Sequence, residues 1–309
     1  MKITSLLFGI FSGCISLPLA CAADYTWNGG NASWTDSGAW LLDGNAADWV
    51  NGSNALFQTG STLAVGSGIS ASGLLYEGVA VTLNGGSLTL TGNASGSNGG
   101  SATLSGTALT LNAADAEDAW TVRDTSLSGS STLTKTGNGT VTLSGTHTAN
   151  GTWNINEGTL VFTGTRDITG GGQINIASGA VLDTSEGRLF HAANYASNWE
   201  QPTITLNGGT LKLNQFGYNS ASLGCLQNNF YALKFSSGTT SRVVISQGYE
   251  SGGTGSRGIY IAGWGTTAVI ELGANQTFTW SSSNGQNFDS IVCESGALSL
   301  IHISEPTRL

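Results

Sequence analysis

The side chains best suited to catalysis in this 309-residue sequence are Asp183, Glu186, Arg188 and His191. Polysaccharide lyases and hydrolases need paired carboxylates, or a base beside a cation, on one surface of the protein. The four residues follow Leu182 in a predicted loop, and no second cluster follows at a regular spacing. We therefore predict no catalytic residue and no enzymatic activity, with a carbohydrate-active enzyme as the alternative.

The sequence supports a metal or cofactor site no more strongly than it supports a catalytic site. Asp115, Glu117 and Asp118 lie in residues 113–119, which are predicted to be a loop or a short helix, and no His is close in sequence. Such a cluster is more typical of a solvated loop than of a metal site. His147 is expected at an exposed or turn position, because a metal site needs further ligands. We predict no metal ligand, no cofactor and no cofactor-binding residue.

Short strands separated by Gly and Asn turns make up most of the chain. Only 9% of the residues are charged, and Gly supplies 46 residues. Leu, Val and Ile alternate with Thr and Ser at the strand period, so the composition predicts an all-β protein. The block VTLNGGSLTL at residues 81–90 returns as ITLNGGTLKL at residues 204–213. Such repetition indicates stacked supersecondary units that present a long surface.

The clearest repeat lies at residues 131–164, and its strand spacing predicts coils of about 20 to 25 residues. Residues 189–235 are richer in aromatic side chains and are predicted to contain loops that leave the stack. Alternation also predicts which residues of the other coils face inward: Leu63, Val65, Leu74, Val79, Val81, Leu83, Leu88, Leu90, Leu104, Leu109, Leu111, Ile174, Ile176, Val181 and Leu182.

Residues 1–22 have the pattern of a secretory signal peptide. An apolar run follows Lys2, and a small-x-small cleavage motif ends at Ala22. A retained membrane anchor and a lipoprotein signal are the alternatives. Cys225 and Cys293 would remain after cleavage, and we expect two unpaired thiols because these residues are far apart in sequence.

Residues 23–60 bring Trp27, Trp34, Trp40 and Trp49 close together in sequence. We predict an aromatic-rich N-terminal cap, because the open end of a stacked fold exposes strand edges and an apolar interior. An aromatic platform that binds carbohydrate is the alternative. Residues 61–297 would then form the coils of the solenoid.

Residues 298–309 break the pattern of alternating strands and glycine turns. Their sequence LSLIHISEPTR matches one translated frame of the transposase end sequence that is added to sequencing libraries. We expect the reading frame to pass into adapter sequence near Leu298. The chain would then be the N-terminal fragment of a longer protein.

Acidic residues outnumber basic ones by 19 to 10, which gives a net charge of −9. No Lys or Arg occurs between Lys2 and Arg123. Nucleic acids and anionic lipids are bound by clustered cations, so neither is expected as the main partner.

The segment LTKTGNGTVTLSG at residues 133–145, with Gly158-Thr159-Leu160 after it, resembles the passenger-associated β-strand repeat of autotransporter-type surface proteins. The likeness covers residues 132–162 and departs after Gly145, where the family usually has an aromatic and a glycine. It implies a right-handed parallel β-helix that is exported and carried across the outer membrane by a C-terminal β-barrel, as in the autotransporter outer-membrane β-barrel domain-containing family. That barrel would belong to a part of the protein outside this fragment.

The predicted function is that of a surface-exposed passenger region with a structural or adhesive role. We expect a monomer at the cell surface, in the outer membrane or in the extracellular medium. Host or environmental glycans or surface proteins are the expected partners. A secreted β-helix polysaccharide lyase or hydrolase and a passive surface stalk are the alternatives.

Overall fold

A computed structural model describes residues 22–30, 32–166, 172–187, 189 and 203–213. Between residues 215 and 301 it describes the strands given below and residues 236, 238 and 239. Every regular element in these residues is a strand, which confirms the all-β prediction. The predicted signal peptide lies outside the described residues except for Ala22, and only one short strand is described within residues 298–309.

The strands are short and follow one another closely along the chain. The first eleven are β1 Asp24–Trp27, β2 Trp40–Leu42, β3 Asn45–Ala47, β4 Ser53–Phe57, β5 Ser61–Ala64, β6 Ile69–Glu77, β7 Ala80–Asn84, β8 Ser87–Leu90, β9 Ala94–Ser97, β10 Ser101–Ser105 and β11 Ala108–Asn112. The next ten are β12 Ala119–Val122, β13 Thr125–Ser128, β14 Thr132–Thr136, β15 Thr140–Leu143, β16 Thr146–His147, β17 Trp153–Ile155, β18 Thr159–Phe162, β19 Thr165–Arg166, β20 Gln173–Ile176 and β21 Val181–Asp183. The last eleven are β22 Thr203–Leu206, β23 Thr210–Leu213, β24 Gln215–Phe216, β25 Cys225–Leu226, β26 Ala232–Phe235, β27 Thr240–Ile245, β28 Tyr260–Ala262, β29 Thr267–Leu272, β30 Thr279–Trp280, β31 Ser290–Cys293 and β32 Leu300–Ile301.

From β5 to β21 the chain passes over three parallel ladders in turn, which gives about six turns of a β-solenoid. Face one contains β8, β11, β14, β17 and β20, and face two contains β9, β12, β15, β18 and β21. Face three contains β5, β7, β10 and β13, followed by β16 and β19. The long strand β6 serves two faces, because its first part pairs with β8 and its second part with β9. The predicted stacked parallel fold is therefore confirmed.

Register along face one gives the length of a coil. Leu88, Leu109, Leu133, Trp153 and Ile174 are partners on successive strands, at intervals of 21, 24, 20 and 21 residues. These intervals agree with the predicted coil length. The next two intervals on the same face, from Ile174 to Ile204 and on to Leu233, are longer at 30 and 29 residues. The loops predicted within residues 189–235 fall largely outside the described residues, whereas β22, β23 and β26 continue the stack.

Alternation decides which side chains enter the core. All of the residues predicted to face inward are buried except Val79 and Val181, which are only partly buried. Val181 precedes Leu182 in β21, and successive side chains of a strand point to opposite faces, so both cannot enter the core. Val79 lies one residue before β7 begins. Each buried Leu or Ile stabilises the fold by roughly 1.5 to 3 kcal/mol relative to an exposed one.

The N-terminal end of the solenoid is formed by antiparallel strands that surround an aromatic cluster. β1 pairs antiparallel with β2, β2 pairs antiparallel with β3, and β1 also pairs in parallel with β4. The turn between β2 and β3 is Asp43-Gly44, with φ values of 51° and 79°, which is typical of a two-residue hairpin. This hairpin was not predicted.

The rings of Trp27, Trp34 and Trp40 are buried, and Trp40 contacts the other two, with centroid distances of 5.1 Å to Trp27 and 4.8 Å to Trp34. Phe57 packs against all three. The aromatic-rich cap is therefore confirmed as a packed core. The alternative of a carbohydrate-binding platform at these three rings is wrong, because their faces are occupied by other rings.

Candidate functional site: basic residues inside the solenoid

Three basic side chains lie inside the solenoid, in a core that is otherwise mainly apolar. Lys135, His147 and Arg166 are each 0% exposed to solvent. Lys135 follows the inward-facing Leu133 by two residues in β14, so strand alternation directs it into the core. His147 and Arg166 occupy the inward positions of β16 and β19 on face three.

Lys135 lies near the end of β14, at the corner where the chain passes from face one to face two. Its register partners on the neighbouring coils are Leu111 and Ile155, so an ammonium group stands in a stack of aliphatic side chains. Lys135 Nζ donates hydrogen bonds to the carbonyl oxygens of Thr136 at 2.8 Å and Gly137 at 2.7 Å. A longer bond of 3.3 Å reaches the carbonyl oxygen of Glu157 in the next coil.

Burial lowers the pKa of Lys135 to about 8. The carboxylates of Glu157 and Asp118 act in the opposite direction and favour the charged form. At neutral pH the ammonium therefore remains mainly protonated and donates to carbonyl groups at the turn, of which that of Thr136 also accepts the backbone N–H of Ala113. The hydrogen bonds of the Lys135 ammonium therefore link two consecutive coils.

The turns at the same corner lie directly on one another. Gly137 donates its backbone N–H to the side-chain carboxylate of Glu157 at 2.8 Å, so Glu157 receives hydrogen bonds through both its side chain and its carbonyl. Gly158 has a φ of +61°, and a Cβ atom there would collide with the carbonyl oxygens of Gly137 and Gly139. Glycine is required at this position by backbone conformation and by the approach of the previous coil.

His147 and Arg166 are in-register partners on consecutive coils of face three. Arg166 donates from Nη2 to the carbonyl oxygen of Gly151 at 2.8 Å, and its guanidinium carbon lies 4.4 Å from the ring centroid of Trp153. The cation–π contact lets a buried guanidinium rest on an aromatic face. His147 lies 5.8 Å from the Trp153 ring and 5.6 Å from the Phe162 ring, measured between centroids.

The backbone N–H of Leu127 donates to His147 Nδ1 at 3.2 Å. Nδ1 is therefore an acceptor, which assigns the ring proton of the neutral imidazole to Nε2. Burial, and to a smaller extent the neighbouring Arg166 guanidinium, lower the pKa of His147 to about 4, while the backbone of Ser144 acts in the opposite direction. His147 is thus neutral at pH 7. The prediction of an exposed or turn His147 is wrong, because β16 presents its second residue to the core.

These features coincide with a recognised sequence family. The family model of the passenger-associated transport repeat matches residues 133–162, which run from β14 to the end of β18. We refer to the matched residues 133–162 as the transport repeat. No curated protein and no solved structure gives a significant match to the chain.

The transport repeat contains Lys135, His147 and Trp153, and Arg166 follows it in the sequence. Its parallel strands β14, β15, β17 and β18 lie within the solenoid and pair with coils on both sides. The repeat and the solenoid together fit the passenger region of an autotransporter.

Of the four acid–base candidates considered in the sequence, the structure describes Asp183 and Glu186. Asp183 lies in β21, accepts hydrogen bonds from Ser185 and forms an ion pair with Lys212 at 3.7 Å. Glu186 is exposed in the turn that follows. Arg188 and His191 lie outside the described residues, so the expectation that these four residues form no catalytic site stays a prediction.

The acidic segment at residues 113–119 is a turn rather than a helix. Asp115 and Glu117 are exposed, and the backbone N–H of Asp115 donates to the carboxylate of Asp118 at 3.1 Å. Across the described part of the chain, no group of three or more His, Cys, Asp or Glu residues could hold a metal ion. The described residues also contain no helix that is long and apolar enough to span a membrane. The side chains of Cys225 and Cys293 lie outside the description, so their predicted unpaired state stays a prediction.

Sequence reasoning did not identify Lys135 and Arg166 as interior residues. A signal was present for Lys135, since it stands two residues after Leu133 in an alternating strand. Arg166 ends a two-residue strand, which is too short for alternation to be read from the sequence.

Proposed function

We propose that this chain is the surface-exposed passenger region of an autotransporter-like protein, with a structural and adhesive role at the cell surface. The observation that carries the proposal is the transport repeat at residues 133–162, whose strands belong to two consecutive coils of a parallel solenoid. A solenoid presents an extended surface, because each coil contacts only its neighbours. The proposed partners are glycans or surface proteins of a host or of the environment, and the proposed state is a monomer.

The outer surface suits exposure to an aqueous medium. Outward positions are occupied in register by small polar residues, such as Thr62, Thr82 and Thr103 on face three. Asn154 and Asn175 on face one are joined by a side-chain hydrogen bond of 2.9 Å. Val50, which is 56% exposed, is the one large apolar residue classed as exposed among the described residues. Such a surface resists nonspecific association between exported copies.

Surface location is tested by proteolysis of intact cells that express the gene with its native downstream sequence. We expect external protease to digest residues 23–297 while a periplasmic marker stays intact. The matched control lacks residues 1–22 and should be protected in intact cells. Protection of the complete protein in intact cells, with digestion only after lysis, would contradict the proposed location.

The adhesive role needs a separate measurement. Purified chain is tested against a glycan array and against intact host cells, with a heat-unfolded sample as control. Saturable binding that is lost on unfolding supports adhesion, whereas absence of binding favours a passive stalk. Incubation with a panel of polysaccharides completes the test, since turnover of any of them would replace the adhesive role by the enzymatic alternative. Sequencing the source DNA beyond Leu298 from an independent library shows whether a terminal barrel follows.

A further inference from the structure

The His147–Arg166 pair is the most unusual contact between coils in the described core. A neutral imidazole and a guanidinium are in register on strands β16 and β19, and both side chains are fully buried. The elements packed around the imidazole are β13, β17, β18 and β19, and Arg166 is the one charged residue among these four strands. No carboxylate in those strands can compensate a positive charge on the imidazole.

Protonation of His147 would have two direct consequences for the packing of the coils. First, Nδ1 would become a donor and could no longer accept the N–H of Leu127, which links β13 to β16. Second, a second positive charge would stand beside Arg166 in an apolar setting made by Trp153 and Phe162. Both effects oppose the contact between the same consecutive coils.

We propose that the His147–Arg166 pair is an acid-sensitive lock in the solenoid, which holds consecutive coils together at neutral pH and loosens them when His147 takes up a proton. The lock acts on residues 125–166. The coils at residues 53–112 contain no His, and their inward positions on faces one and three are occupied by residues such as Leu63, Leu83 and Leu88. Acid should therefore loosen the coils at residues 125–166 before those at residues 53–112.

The direction of the pH dependence follows from proton uptake by the two states. An unfolded imidazole titrates near pH 6.5, whereas in the folded chain the pKa of His147 is about 4. Between these values the unfolded state binds a proton that the folded state does not, so stability falls as the pH falls from about 6.5 to about 4. Over this window the folding equilibrium constant should drop on the order of a hundredfold.

The test uses hydrogen exchange of the full chain followed by mass spectrometry, at about pH 7 and about pH 5, with rates corrected for intrinsic exchange. We expect protection of residues 125–166 to fall by more than tenfold, while residues 53–112 change less. His147→Gln keeps an acceptor for the Leu127 N–H without a titrating ring, and it should remove most of the acid-dependent loss in residues 125–166. An equal loss in both sections, or an unchanged loss in His147→Gln, would overturn the proposal.

Two further measurements keep the proposal testable if His147→Gln folds poorly. NMR titration of the wild-type imidazole should show no protonation of His147 above about pH 5, and titration near the ordinary value in the folded chain would overturn the lock. Arg166→Met keeps an aliphatic stem against Trp153 and removes the charge. It should make the acid-dependent loss smaller, and an undiminished loss would show that the pairing with Arg166 has no part in it.

Discussion

Trp27 donates its indole N–H to the hydroxyl of Ser61 across a distance of 2.8 Å. This bond joins the first strand of the cap to the first strand of face three. Ser61 occupies an inward position whose register partners on the next coils are Val81 and Ala102. The Ser61 hydroxyl therefore lies among apolar inward side chains. It is the acceptor that the buried indole N–H of Trp27 requires.

We therefore expect Ser61→Ala to destabilise the cap by about 1 to 2 kcal/mol, because the N–H of Trp27 would stay buried without an acceptor. Ser126→Ala is the matched control, since Ser126 lies at an outward position of β13. It should change the free energy of unfolding by less than about 0.5 kcal/mol. Denaturant unfolding followed by tryptophan fluorescence measures both, and equal effects of the two changes would contradict the role of the bond.

Removal of the Lys135 ammonium should destabilise the corner of the transport repeat. Lys135→Met keeps much of the aliphatic stem but removes the ammonium donor from the carbonyl groups of Gly137 and Glu157, whereas the carbonyl of Thr136 keeps the backbone N–H of Ala113. We expect a loss of about 1 to 3 kcal/mol. Lys212→Met is the control, because Lys212 is 43% exposed and its ion pair with Asp183 is worth little. A Lys135→Met chain as stable as the wild type would show that the buried ammonium contributes nothing net.

Lys135 should also make the solenoid more stable in alkaline solution. In the folded chain the pKa of Lys135 is about 8, below its ordinary value of 10.5. Between these two values the unfolded state holds a proton that the folded state has released, so stability rises with pH across this window and is lower below it. The difference in unfolding free energy between wild type and Lys135→Met, measured from about pH 7 to about pH 10, should follow this rise. A difference that stays constant would contradict the depressed pKa.

Substitutions of Gly158 and Gly179 separate steric overlap from backbone strain. Both glycines have positive φ, at 61° and 77°, but a Cβ at Gly179 would meet no atom within 4 Å. Gly179→Ala should therefore cost about 1 kcal/mol. Gly158→Ala should cost at least about 2 kcal/mol more, because its Cβ would overlap the backbone of the previous coil. Thermal unfolding measures the pair, and similar losses would contradict the close stacking of turns.

The sequence was sufficient for the repetitive part of this fold. Strand alternation identified inward residues such as Leu88, Leu104 and Leu109, because one side of every strand must enter the same apolar core. The same rule could have placed Lys135 inside. A buried ammonium also needs carbonyl groups that converge on it, and this convergence depends on how turns of consecutive coils stack.

Features that depend on the stacking of distant coils could not be predicted. The two similar ten-residue blocks occupy different positions, since residues 81–90 span faces three and one, whereas residues 204–213 form β22 and β23 on the continuations of faces one and two. The local sequence of such a block determines its two strands and the turn between them. It does not determine the face of the solenoid on which each strand lies. His147 was misplaced for the same reason, because β16 contains only two residues and shows no alternation.

The central claim is that consecutive coils stack in parallel register through the transport repeat. In a chain whose native cysteines are replaced, Thr134→Cys with Asn154→Cys tests in-register neighbours on β14 and β17. Thr134→Cys with Asn175→Cys is the control, because Asn175 lies one coil further along. Neighbouring strands are about 4.8 Å apart and alternate strands about 10 Å apart, whereas a disulfide requires Cα atoms within about 7 Å. We predict that mild oxidation links the first pair and not the second, and a disulfide in the second pair without one in the first would contradict the stacked register.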